Sequence, residues 1–204
     1  MTEQNSDIIF DLARSGDPGK IQEFLDDLDG DRLGSSEQTS LEYGLIAGAP
    51  KTIELLIARL RQMPAKKSGL RCAYYLGEIA YQQKYEQDPR ILPELVAAFH
   101  RLKMVLPDEL DVILAALSEC GRFRAIPEAQ AAAEEWLQMI KEQPSLSDTG
   151  LRYALAIYLV NNGWTKTIAF GKKLGQRSED AQTLEDVEYF LERHRPKGWE
   201  PIQA

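Results

Sequence analysis

A zinc or di-iron centre needs histidines, cysteines and carboxylates at spacings that bring them to one point. The chain offers two histidines and two cysteines in 204 residues. His100 follows Ala97, Ala98 and Phe99, and His194 lies between Arg193 and Arg195. Neither stands in a His-x-x-x-His, His-Glu or Cys-x-x-Cys context, so both read as surface or helix-end histidines and no metal is expected. Nucleophilic catalysis has equally little to draw on. Gly-x-Ser-x-Gly is absent, and neither Cys72 nor Cys120 has a histidine close by in sequence. Each cysteine sits within an apolar helical pattern, which predicts reduced and buried thiols. The run Asp17-Pro18-Gly19-Lys20 lacks the spacing and the preceding strand of a phosphate loop. No catalytic residue and no cofactor are expected.

Carboxylates are plentiful, with 32 Asp+Glu against 24 Lys+Arg and a net charge of −8. That balance argues against unaided nucleic-acid binding and against docking on an anionic membrane. The imbalance is one-sided. Residues 1–50 carry 11 acidic and 3 basic residues, a net of −8, whereas residues 51–100 carry 5 acidic and 8 basic, a net of +3. The densest run holds Asp26, Asp27, Asp29 and Asp31. A calcium loop starting at Asp27 would place Arg32 where glycine belongs and Gln38 where the closing glutamate belongs, so calcium is not expected. Two readings remain: a solvated helix end and turn, or an acidic contact surface that attracts a basic protein partner over distance.

The elements that would position these residues are helical. Ile53, Leu56, Ile57 and Leu60 recur at helical spacing, as do Leu92, Leu95, Val96 and Phe99. Helices are expected near 6–15, 18–28, 37–48, 50–62, 68–83, 89–104, 107–120, 125–142, 147–162, 164–175 and 181–194. No apolar run is long enough to span a membrane, and residues 1–7 have no leader-like pattern, so a cytoplasmic location is expected.

Glycine punctuates this pattern. Gly16, Gly48, Gly121 and Gly163 each fall where one helix should end with positive φ and another begin, with Gly77 a looser fifth. Ser68-Gly69-Leu70-Arg71-Cys72-Ala73 and its continuation through Leu76 to Ile79 resemble the second helix of a HEAT-like repeat, as does the stretch 148–159. Arg90-Ile91-Leu92-Pro93 and Arg124-Ala125-Ile126-Pro127 resemble the opening of the following helix. The resemblance covers residues 37–175. It departs at Asp111, which falls near the usual Arg, and across a longer loop at 81–87. Residues 12–25 resemble an ankyrin-type helix pair almost as well.

The resemblance implies an all-α chain: a right-handed α-solenoid of about five helical pairs with a C-terminal capping helix. One domain would span 1–195, comprising an acidic part at 1–48, HEAT-like repeats at 49–178 and the cap at 179–195, where Leu184, Val187 and Leu191 form an apolar stripe; 196–204 would be a tail. It also implies that second helices line a concave face, on which Tyr75, Glu78 and Gln82 share one side at 100° per residue. HEAT-like hydroxylases carry His-Glu pairs, which this chain lacks. The expected function is a non-enzymatic interaction module or scaffold. Its partner surface would comprise Asp26, Asp27, Asp29 and Asp31 together with Tyr75, Glu78 and Gln82. Alternatives are an acidic immunity-type protein neutralising a basic toxin or nuclease, and a HEAT-like enzyme such as a DNA-repair glycosylase or a bilin lyase.

Overall fold

The computed structural model describes residues 3–122, 124–142 and 148–163, together with 166, 167 and 169. Among these residues the chain is all-helical: α1 (Glu3–Ser15), α2 (Pro18–Asp29), α3 (Ser35–Ala47), α4 (Ile53–Arg61), α5 (Ser68–Gln83), α6 (Ile91–Leu102), α7 (Leu110–Cys120), α8 (Pro127–Glu142) and α9 (Asp148–Asn162). These match the first nine helices expected from periodicity, with ends displaced by a few residues. The expected capping helix and tail lie outside the described residues.

Local chemistry sets several ends. Asp17 caps α2 by accepting the Lys20 N–H at 2.9 Å, and Pro18 supplies the pre-set φ of a first helical residue. Glu37 reaches back to the Gly34 N–H at 2.8 Å at the start of α3. Gly16 and Gly163 close their helices with φ of 78° and 84°. The other three glycines act differently. Gly48 and Gly121 end helices with negative φ, and Gly77 lies inside α5.

Contacts between helices run in two rows. In one, α1 packs on α3, α3 on α5, α5 on α7 and α7 on α9; in the other, α2 meets α4, α4 meets α6 and α6 meets α8. The rows join where α4 lies on α5, α6 on α7 and α8 on α9. The core runs between them, from Ile9 and Leu25 through Leu56, Leu76 and Phe99 to Leu117, Trp136 and Leu155.

Within the odd-numbered row, small residues set the spacing. A Cβ on Gly77 would lie 2.7 Å from the Ala116 Cα, so α5 and α7 touch nearly backbone to backbone. Gly44 lets α3 approach the Phe10 carbonyl and Ala13 of α1 in the same way, with 2.6 Å left for a Cβ. The even-numbered row is fastened by polar links instead. Arg59 of α4 reaches Asp26 of α2, Arg61 of α4 reaches Glu94 of α6, and Lys103 just past α6 reaches Glu135 of α8. The sequence separations are 33, 33 and 32, about one helical pair, so a cation–anion link recurs at each step.

The two kinds of glycine should separate on substitution. Gly77→Val is expected to cost about 2 kcal/mol or more in urea unfolding, because α5 and α7 must be pushed apart. Gly121→Ala, whose Cβ would meet nothing nearer than 3.5 Å, is expected to move stability by less than about 1 kcal/mol.

Candidate functional site

The acidic run 26–31 is committed mainly to the fold. Arg59, only 1% exposed, places Nη2 2.8 Å from Asp26 Oδ1 and Nη1 2.8 Å from Asp29 Oδ2. Asp29 also accepts the Ser68 N–H at 2.7 Å through its other oxygen, capping α5 from outside that helix. Lys66 adds a contact of 3.2 Å to Asp26 and 3.7 Å to Asp29. Asp27 is paired with Arg32 at 2.6 Å. Asp31 is exposed in the turn after α2 with φ of 52°, a conformation Asp tolerates better than most residues. Asp26 and Asp29 are paired within the fold, which neither sequence reading of this run included. They neutralise a buried guanidinium, because a desolvated charge is costly unless paired.

The second expected group divides. Glu78 is half-buried and Gln82 exposed on the open side of α5, but Tyr75 is 1% exposed and belongs to the core. Its neighbour Tyr74 is the tyrosine that reaches the open side. The reason is geometric: α5 contacts α3, α4 and α7, which cover Tyr75 and leave Arg71, Tyr74, Glu78 and Gln82 on a side that stays partly or fully open.

Three successive odd-numbered helices bring carboxylates to Tyr74. Burial pushes its hydroxyl up to about 12, and Glu78 of its own helix, Glu42 of α3 and Glu119 of α7 add to the effect. Glu42 is itself raised above the ordinary carboxylate range, chiefly by burial, with Arg71 acting in the opposite direction. Glu78 is raised by burial and by the negative charges of Glu119 and Glu42, against the pull of Arg122. Further along, Arg122 lies 4.8 Å above the Tyr81 ring and 3.0 Å from Glu119. Tyr153 of α9 is raised by burial and then by Asp111 and Glu119. These residues belong to or directly follow successive odd-numbered helices, α3, α5, α7 and α9.

No family model, curated protein or solved structure matches the chain. Its reading therefore rests on its own geometry.

Among the described residues, no three His, Cys, Asp or Glu side chains gather closely enough to hold a metal ion. Cys72 and Cys120 are both buried and unbonded to each other. Burial pushes both thiols up, Cys120 to about 12, so neither resembles an activated nucleophile. No helix among the described residues is long and apolar enough to cross a membrane.

Sequence reasoning missed Arg59 and chose Tyr75 over Tyr74. Arg59 carried a signal: it lies among Leu56, Ile57 and Leu60, and a cation in such a helix needs carboxylates. Tyr74 carried none that separated it from Tyr75.

Arg59→Ala is expected to cost about 3 kcal/mol in urea unfolding, since two carboxylates lose their buried partner. The same contact makes stability depend on acid. The Arg59 hydrogen bond first, and then Gln22, lower Asp26 from 3.8 to about 2. A carboxyl lowered by folding stabilises the protein above its unfolded value, and that contribution is lost as pH falls through the folded one. Unfolding midpoints should therefore drop between these two values in wild type, and the drop should be shallower in Asp26→Asn.

Proposed function

We propose that this protein is a non-enzymatic interaction module that binds a partner protein along the open strip of its odd-numbered helices. In this reading the two rows form a right-handed α-solenoid of HEAT-like helical pairs, which buries one continuous core and leaves an extended surface for binding. The recurrence of inter-row packing and of ion pairs about one helical pair apart supports it. The observation that carries the functional part is Tyr74, half-buried on the open side of α5, whose hydroxyl is raised by burial and by carboxylates of three helices. Glu42 and Glu78 lie partly buried against their own electrostatic interest, and groups kept so are commonly kept for a partner rather than for stability. Tyrosine suits such a surface because it offers large contact area with little entropy to lose.

The acidic N-terminal helices take a supporting role. Asp7, Asp11, Asp17 and Asp31 remain exposed, and their field can draw a partner in without contacting it. A neutraliser of a basic toxin or nuclease would use the same strip, and it would differ only in which protein it captured.

The experiment is affinity capture from the source organism's lysate, with Tyr74→Ala/Glu78→Ala, Asp27→Asn/Asp31→Asn and wild type as parallel baits. A partner lost only from the first variant supports the strip. Retention there with loss from the second would move the site to the acidic turn. Glu78→Gln is expected to unfold at a higher urea midpoint than wild type, because it removes a carboxylate that folding disfavours, while weakening capture.

A further inference from the structure

We infer that the turns leading from each odd-numbered helix to the next even-numbered one form a second contact surface, which takes an extended acidic segment of a protein. This surface is separate from Tyr74 and goes beyond the reading above. Residues 14–17, 48–52, 84–90 and 121–126 hold six Lys and Arg against three Asp and Glu, in a chain whose net charge is −8. Contacts set these turns side by side. A Cβ on Gly16 would lie 2.8 Å from the Lys51 Cβ, and one on Gly48 would lie 2.9 Å from the Arg14 carbonyl oxygen. Arg90 reaches Glu54, at the start of α4, at 3.0 Å. Gln87 donates to the Cys120 carbonyl at 2.9 Å and accepts from Arg124 at 3.2 Å.

The cations on this edge differ in how they are used. Arg90 and Arg122 are spent on Asp88, Glu54 and Glu119. Arg14, Lys51, Lys84 and Arg124, one from each turn, are exposed and in no ion pair among the described residues. On the opposite edge, by contrast, Arg32, Lys66 and Lys103 are each paired with a carboxylate. Helix ends do not set the sign here, because the ends of odd-numbered helices and the starts of even-numbered ones carry opposite partial charges. The free side chains do. Lys84 also has φ of 55°, a conformation glycine adopts far more readily. A lysine held there at a cost points to a use for its side chain. Spacing then selects the occupant. Packed helices lie about 8–10 Å apart, and α1, α3, α5 and α7 each pack on the next. An extended chain advances about 3.3 Å per residue, so a carboxylate at every third position meets one cation per turn. A nucleic acid suits the edge less well, because its densely charged backbone would meet the excess of carboxylates elsewhere on the chain.

The test uses the full chain and a fluorescent Glu-Gly-Ser repeat peptide, with the Gln-Gly-Ser repeat as uncharged counterpart and oligothymidylate as the nucleic-acid probe. Fluorescence anisotropy gives affinity, and amide NMR shifts locate the contact. The Glu peptide is expected to bind more tightly than the Gln peptide by about tenfold or more. Its binding should weaken as salt rises and should shift amides in the four turns. Lys51→Gln/Lys84→Gln/Arg124→Gln should lose most of the binding, while Lys67→Gln on the opposite edge keeps it. Circular dichroism confirms that each variant is folded. Equal binding of the two peptides, tighter binding of oligothymidylate, shifts centred outside the four turns, or undiminished binding by the folded triple variant would each overturn the proposal. Tyr74→Ala/Glu78→Ala should keep the Glu peptide even where it loses a lysate partner, so the two readings fail separately.

Discussion

The buried guanidinium of Arg59 is the constraint around which the N-terminal half is arranged. A cation removed from water must find anions within hydrogen-bond distance, and Arg59 finds Asp26 and Asp29 on a helix 33 and 30 residues earlier. Those two carboxylates fix α2 against α4, and Asp29 also caps α5 through the Ser68 N–H. One side chain thereby ties three helices into register. Asp29, which both pairs with Arg59 and caps another helix, is committed to the fold, while Asp26 keeps part of its side chain in solvent.

The two rows divide the physical work. The odd-numbered helices approach closely at Gly44 and Gly77, where any larger side chain would collide with backbone. That tight packing keeps their outer strip narrow and places side chains from neighbouring helices next to one another. Beyond the buried Arg59 link between α2 and α4, the even-numbered helices meet through ion pairs that water can reach, and such pairs contribute modestly to stability. They supply register more than cohesion. Glu42, Tyr74, Glu78 and Glu119 all belong to this closely packed row.

The helices were legible because an amphipathic stripe is a local pattern, and Ile53, Leu56, Ile57 and Leu60 display it without reference to anything else. Phase was less legible. Tyr74 and Tyr75 are adjacent and identical, and only the positions of α3, α4 and α7 decide which is covered; that information lies far away in sequence. Gly77 misled for a related reason, since a glycine that ends a helix and one that admits a neighbour look alike until the neighbour is placed. The acidic run misled because counting charge says nothing about what the charge faces. Asp26 and Asp29 looked like a surface until Arg59 gave them a buried partner.

The measurement that tests this account most directly is a double-mutant cycle on Arg59 and Asp29, using Arg59→Met, Asp29→Asn and the combined variant in urea unfolding. If the acidic run serves the fold, the two sites are coupled by about 1 kcal/mol or more, and the double variant is much less damaged than the sum of the single ones. Additive effects, agreeing within about 0.5 kcal/mol, would contradict it. Asp29 would then be independent of Arg59, and the acidic turn would return as a candidate contact surface.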